Sequence, residues 1–134
     1  MKIFHGVIMG LVFVPNLGAA QDLETGYSAC NDGNYSLALE NFVPLAESGD
    51  AAAQLELGVM YNFGQGVLQD DTEAVRWYRL SAEQGYASAQ FNLGLMYDFG
   101  RGVLEDDAKA VRWYRLSAEQ GHARAQYYLG LMYD

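Results

Sequence analysis

The sequence is short of cysteine, histidine and basic side chains. It has one cysteine, two histidines, and 8 Lys and Arg against 17 Asp and Glu, for a formal net charge of −9. So few His and Cys exclude a metal centre built from several of them. Nucleic acids and anionic membrane surfaces are recognised through Lys and Arg, so the excess of acid argues against both as partners.

Long apolar runs are also missing. The longest apolar stretch near the start, Ile3–Val14, is interrupted by one histidine and is shorter than the roughly 20 residues that span a bilayer. It follows Lys2 and precedes small residues that end at Ala20, an order typical of a secretory signal peptide. We predict a signal peptide at 1–20; the alternative is an uncleaved amphipathic N-terminus. Gln21, rather than a lipid-accepting cysteine, would follow the cut, so no membrane insertion is expected afterwards.

The single cysteine, Cys30, cannot form a disulfide within the chain. An exported protein lies in surroundings that permit disulfides. Cys30 is therefore either a small buried apolar residue, which we prefer, or a thiol that pairs with another molecule.

A repeat dominates the rest of the sequence. The stretch AVRWYRLSAEQG occurs at Ala74–Gly85 and again, unchanged, at Ala110–Gly121, which is 36 residues later. A degenerate copy lies one step upstream, at Ala38–Tyr61. Fixed periods of about 20–50 residues are typical of solenoids. We predict a repeat domain at 21–134, divided into a degenerate first unit at 23–63 and repeats at 64–99 and 100–134.

Each unit is predicted to be a pair of helices. Apolar residues recur at helical spacing on both sides of a glycine turn, and a looser loop with two glycines joins the units. Gly58, Gly94 and Gly130 fall inside helices, where glycine costs about 1 kcal/mol relative to alanine, so we expect close helix contacts there. The predicted helices are Glu24–Cys30, Tyr35–Glu47, Ala51–Tyr61, Thr72–Glu83, Ala87–Tyr97, Ala108–Glu119 and Ala123–Tyr133. The fold class is all-α, an α/α superhelical solenoid.

The segments AQFNLGLMYDFGRGV, DD and WYRLSAEQG resemble the Sel-one-like repeat (SLR) family, which is related to the tetratricopeptide repeats. The resemblance implies a right-handed α/α superhelix that acts as an adaptor for other proteins, in bacteria often after export, and hence a periplasmic or secreted protein. The upstream copy departs from the pattern, with Asn41 and Phe42 where Trp77 and Tyr78 stand later. It is predicted to be an N-terminal cap.

The sequence stops after the first helix of a unit, so no partner helix covers the apolar side of Ala123–Tyr133. Solenoid ends normally carry a polar cap. We expect either a truncated product or a helix that another molecule covers, including a second copy of the chain.

Motifs that suggest chemistry have simpler explanations here. GQG and GRG lack the third glycine or the Gly-Lys-Ser/Thr of nucleotide loops, so they are read as turns. The Asp70/Asp71 and Asp106/Asp107 pairs recur at helix starts, which favours capping over catalysis. His122 is read as a surface or turn residue. We predict no catalytic residue, no metal and no cofactor.

The positions that differ between units are free to select a partner. Five of them are predicted to line a groove that binds a protein or peptide: Glu56, Ser88, Asn92, Arg124 and Tyr128. The alternative is drift after a recent duplication. The function we predict is a non-catalytic adaptor. The alternatives are an activity like that of β-lactamases, which cysteine-rich exported relatives resemble but which a lone cysteine does not match, or a regulator of a cell-envelope enzyme.

Overall fold

The computed structural model describes residues 21–133, and the predicted signal peptide lies outside them. Residues 21–133 form seven α-helices and contain no strand. The helices are α1 Leu23–Asn31, α2 Tyr35–Glu47, α3 Ala51–Phe63, α4 Asp71–Glu83, α5 Ala87–Phe99, α6 Asp107–Glu119 and α7 Ala123–Met132. The predicted number, order and approximate bounds are confirmed. The helices α3 and α5 run two residues further than predicted, because Gly64 and Gly100 cap them in the left-handed conformation.

Six of the seven helices in residues 21–133 begin with a side-chain cap, and α5, which follows Tyr86, has none. Asp70 accepts a hydrogen bond from the Glu73 amide and Asp106 accepts one from the Lys109 amide, which confirms the capping interpretation of the acidic pairs. Asp71, the second acid of the first pair, is the first residue of α4. The repeated carboxylates therefore hold helix ends in place.

Each helix packs against the next one along the chain, which gives an α/α solenoid. The prediction of close helix contacts is confirmed at two glycines. A Cβ atom on Gly58 would lie 2.4 Å from the Tyr78 ring, and one on Gly94 would lie 2.6 Å from the Tyr114 ring. At Gly130 nothing lies within 4 Å of that position. Glycine at the first two positions therefore lets a buried tyrosine of the following helix lie against the helix backbone.

Hydrogen bonds between successive units use residues that the repeats share. The Ser81 hydroxyl donates to the Ala51 carbonyl over 2.7 Å, and the Gln84 amide donates to the Gly49 carbonyl and to Gln54 Oε1, both over 2.8 Å. The same bonds recur one step later with Ser117, Ala87, Gln120, Gly85 and Gln90. The segment SAEQG is therefore repeated because its serine and glutamine join each helix pair to the preceding one.

We expect Ser81→Ala to lower the free energy of unfolding by about 1 kcal/mol, since it removes one buried hydrogen bond. Ser81 is fully buried, and Ser28 is exposed on α1. Ser28→Ala is therefore the matched control, with an expected change within about 0.5 kcal/mol. Urea unfolding followed by circular dichroism measures both, and equal effects would contradict the role given to Ser81.

The identical segments differ in their burial. Trp77 is buried, whereas Trp113 is only half-buried at the edge of the core. Cys30 is also half-buried rather than enclosed, and burial, with a smaller contribution from the Glu56 carboxylate, raises the pKa of its thiol. The expectation that Cys30 is a buried core residue is therefore only partly met.

The GRG loop packs on the start of an earlier helix. Gly102 has a φ of +71°, and a Cβ atom there would lie 2.4 Å from the Asp71 carbonyl oxygen. Only glycine fits both constraints. The loop between α5 and α6 is thereby pressed against the beginning of α4, and this contact places Arg101 beside α3 and α4.

Candidate functional site

The five predicted site residues lie on the odd-numbered helices, with Glu56 on α3, Ser88 and Asn92 on α5, and Arg124 and Tyr128 on α7. The structure brings Asn92 and Arg124 into one pocket. It does not bring Glu56, Ser88 or Tyr128 there. The Tyr128 ring instead packs against Phe91, with 5.4 Å between centroids. That contact makes Tyr128 a packing residue of α7.

The pocket has a volume of about 350 Å³ and collects residues from α3, α4, α5, α7 and the loop after α5. We call it the Arg-Asn pocket. Its lining combines two arginines and two asparagines with a tyrosine and four apolar side chains, and includes no carboxylate: Asn62, Phe63, Tyr78, Asn92, Leu95, Met96, Phe99, Arg101 and Arg124. A mixed apolar and polar lining of this size is typical of a site for a small group or one or two side chains.

A hydrogen-bond network fixes one wall of the Arg-Asn pocket. Arg101 forms a two-pronged ion pair with Asp71, at 3.0 and 3.1 Å, and its Nη2 also donates to Asn62 Oδ1 over 3.0 Å. This bond turns the Asn62 amino group toward Tyr78, whose hydroxyl oxygen accepts from it over 3.2 Å. Arg101 is therefore held in place before any ligand binds.

The Tyr78 hydroxyl lies within this network. Burial raises the pKa of Tyr78 to about 12, although the Asn62 and Asn92 side chains pull it down. The hydroxyl therefore keeps its proton at neutral pH. Because its oxygen already accepts from Asn62, the proton is available to donate into the pocket.

Arg124 forms the opposite side of the pocket. Its guanidinium lies over the Phe91 ring, 4.9 Å from the centroid. Residues 21–133 contain two ion pairs, Arg76 with Glu73 and Arg101 with Asp71, and Arg124 takes part in neither. Its charge is therefore not neutralised by an ion pair within the described part of the chain.

His122 lies close to Arg124 and is more constrained than a surface or turn residue. It caps α7 by accepting from the Ala125 amide, and its ring stacks on Phe91 with 4.9 Å between centroids. Burial, together with the charge of Arg124, lowers the pKa of the imidazole. His122 is therefore a neutral capping group that helps to position the start of α7.

Sequence reasoning missed three polar members of the pocket. Asn62 and Arg101 lie beyond the ends of predicted helices, and Tyr78 reaches the pocket from a buried ring of α4. One available signal was that Arg101 replaces Gln65 at the 36-residue step within otherwise similar loops. Phe63 and Phe99 occupy equivalent positions 36 residues apart, and the structure leaves both side chains exposed, at 66% and 63%.

Glu56 stands one repeat before Asn92 and lies in a different environment. It is half-buried, and burial raises the pKa of its carboxyl above the usual value. The same carboxylate contributes to the raised pKa values of Tyr27, about 12, and of Cys30. The corresponding part of the preceding unit is therefore acidic, in contrast to the Arg-Asn pocket.

Glu56→Gln should stabilise the protein at pH 7. The pKa of Glu56 is higher in the folded than in the unfolded chain, so the folded state binds more protons between the two values and stability falls as pH rises through them. The gain should vanish below about 4.5, where the carboxyl is protonated in both states. Thermal unfolding from pH 4 to 8, with the exposed Glu83→Gln as control, tests this, and a gain that grows toward low pH would contradict it.

Residues 21–133 lack two features, a membrane-spanning helix and a metal-binding cluster. Within that range no helix is both long enough and apolar enough to cross a membrane. The same residues contain no cluster of three or more His, Cys, Asp or Glu side chains arranged to hold a metal ion.

Known proteins with this repeat match the chain. The Sel1 repeat family matches residues 51–86, 87–122 and 123–134. No curated protein matches the sequence. Among solved structures, a Sel1 repeat protein from Oxalobacter formigenes is 38% identical with a TM-score of 0.79, and the match covers 83% of this chain and 46% of that one. A protective antigen of uropathogenic Escherichia coli strains, which displays an SLR fold, is 40% identical with a TM-score of 0.77, covering 81% of this chain and 24% of that one.

The chain thus spans less than half the length of these two structures. Each stretch matched by the family begins at the first residue of an odd-numbered helix, at α3, α5 and α7. The match extends over more than half of the sequence, and the helical solenoid agrees with both structures. The chain therefore belongs to the Sel1 repeat family.

Proposed function

We propose that the protein is an exported, non-catalytic adaptor that binds another protein or a peptide on the face formed by α3, α5 and α7. Sel1 repeat proteins are typically scaffolds for protein–protein interaction, which supports the general assignment. The observation that carries the proposal is the Arg-Asn pocket, which is lined mainly by residues of these three helices.

The different roles of shared and varying residues support binding on the same face. Shared residues such as Ser81 and Gln84 join the units. Two of the residues that differ between units, Asn92 and Arg124, line the pocket instead. A partner that contacts this pocket is therefore selected in part by residues that differ between the units.

Photo-crosslinking tests the binding face directly. A benzoylphenylalanine placed at Phe99, an exposed aromatic residue of the pocket wall, should crosslink a partner in the cells that make the protein. The same group at Arg112, exposed on α6, serves as the matched control and should not. Equal crosslinking from both positions, or crosslinking from Arg112 alone, would contradict the proposed face.

The export step has a separate test. The apolar stretch at 3–14 and the small residues before Gln21 support cleavage after Ala20. Mass spectrometry of the protein made in a bacterium should find Gln21 as the first residue in the periplasm or medium. An intact chain retained in the cytoplasm would contradict export.

A further inference from the structure

We propose that the Arg-Asn pocket binds the side-chain carboxylate of an Asp or Glu that stands next to a bulky apolar residue in an extended segment of the partner. This inference rests on the proposed function and specifies the partner chemistry for the same face. It follows from the donors in the pocket, their fixed positions, the apolar walls and a comparison with the preceding repeat.

The polar groups of the pocket are mainly donors. Arg124, Arg101, the Asn92 amide and the Tyr78 hydroxyl supply N–H and O–H groups, and no carboxylate lines the pocket. In a chain with 17 Asp and Glu and 8 Lys and Arg, a pocket that keeps the positive charge of Arg124 after Arg101 has paired with Asp71 is a local reversal of charge. Hydrogen bonds from such donors to an ionised carboxylate are stronger than those between neutral groups.

The two arginines are suited to different tasks. Arg101 is already paired with Asp71 and bonded to Asn62, so its charge is largely neutralised and its position is fixed. Arg124 has no ion pair within the described residues and rests on the Phe91 ring. A ligand carboxylate would therefore take Arg124 as its counter-ion, while Arg101 and Asn62 keep Tyr78 aimed at it.

The apolar walls define what accompanies the carboxylate. Phe63 and Phe99 are 66% and 63% exposed, and Leu95 and Met96 of α5 also line the pocket. Burying apolar area against these side chains contributes roughly 25 cal/mol per Å². About 350 Å³ accommodates one apolar side chain beside a carboxylate, which is why the proposal names a pair of adjacent residues.

The preceding repeat lacks these hydrogen-bond donors and positive charges at the equivalent positions. Counting back 36 residues, Glu56 stands for Asn92, Gln65 for Arg101 and Ser88 for Arg124. Those exchanges replace two positive charges by one negative charge, while Phe63 stands for Phe99 and keeps the apolar wall. One repeat therefore attracts a carboxylate, and the repeat before it repels one. This difference would determine where along the face the acidic residue binds.

Fluorescence polarisation with short labelled peptides tests the inference on the full chain. The probe is an end-blocked heptapeptide with Phe-Asp at its centre and Gly and Ser around it. Its control has Phe-Asn, which is nearly the same shape without the charge. We expect the Phe-Asp peptide to bind at least about tenfold more tightly, as charge-assisted hydrogen bonds imply. Equal affinities would overturn the carboxylate inference.

Variants taken from the preceding repeat assign the effect to the pocket. Arg124→Ser and Asn92→Glu should each weaken the Phe-Asp peptide at least about tenfold and leave the Phe-Asn peptide unchanged. Arg124→Lys should retain part of the affinity, and Arg112→Ser on α6 should retain all of it. Circular dichroism checks that each variant keeps its helices. Unchanged binding by Arg124→Ser and Asn92→Glu would overturn the proposal.

A third peptide distinguishes between a side-chain carboxylate and a free C-terminal carboxylate as the group that binds. It ends in Phe with a free carboxylate and carries no Asp. Preferential binding of this peptide would overturn the internal acidic residue as the ligand. If none of the peptides binds, the inference falls, whereas the adaptor function is judged separately by crosslinking at Phe99.

Discussion

Trp77→Ala should lower the free energy of unfolding by about 3–5 kcal/mol, and Trp113→Ala should lower it by less than about 2 kcal/mol. Both tryptophans stand in the same twelve-residue segment, AVRWYRLSAEQG, so local helix propensity is equal at the two positions. The difference comes from tertiary packing. Trp77 is 2% exposed within the core, whereas Trp113 lies half-buried at its edge.

Urea unfolding of the two variants in the same buffer measures this difference, because each serves as the other's control. The indole N–H of Trp77 has no hydrogen-bond partner in the structure, so Trp77→Phe should lose less than Trp77→Ala. Similar losses for the two alanine variants would contradict the packing assigned to the stack.

Gly58→Ala and Gly94→Ala should each lower the free energy of unfolding by about 2 kcal/mol or more, while Gly130→Ala should leave it unchanged or raise it by up to about 1 kcal/mol. All three glycines lie at the same step of the repeat and inside helices. Alanine is the better helix former at each. The sign of the net effect is therefore decided by space alone.

The available space differs sharply between these sites. A methyl group at Gly58 or Gly94 would lie 2.4 or 2.6 Å from a carbon of the Tyr78 or Tyr114 ring, and both rings are fully buried and cannot move aside freely. At Gly130 no atom lies within 4 Å. Thermal and urea unfolding of the three variants compare them, and stabilisation at Gly58 would contradict the close contact.

Much of the fold could be predicted because the same structural signals recur in each repeat of the sequence. The 36-residue step, the glycines at helix ends and the capping aspartates give seven helices, and the bounds are correct to within two residues. The glycines within helices also predicted close contacts, which Gly58 and Gly94 show. These are local signals, and repetition makes each of them visible.

The first helix pair shows the limit of counting by a fixed step. Gly26 lies against Phe42, 16 residues later, whereas Gly58 lies against Tyr78, 20 residues later. The connection between α1 and α2 is four residues shorter, so α1 is equivalent to α3 at a step of 32 rather than 36. A shorter connection leaves no periodic signal in the sequence.

The pocket could be predicted only in part. Variation between repeats identified Asn92 and Arg124, and both line the pocket. It also selected Tyr128, which packs against Phe91, and Ser88, which lies outside the pocket. Arg101 joins the site through the folding of a loop onto α4, and Tyr78 joins it through a single hydroxyl on a buried ring. Such positions follow from tertiary contacts that no spacing rule contains.

The central claim is that residues which vary between repeats form a binding site on the face of α3, α5 and α7. A titration of the ¹⁵N-labelled protein with the Phe-Asp peptide, followed by nuclear magnetic resonance, tests it most directly. The account predicts that amide signals of Asn92, Phe99 and Arg101 move, while those of Glu83 and Arg112 on the even-numbered helices do not. Shifts concentrated on α4 and α6 would contradict the claim.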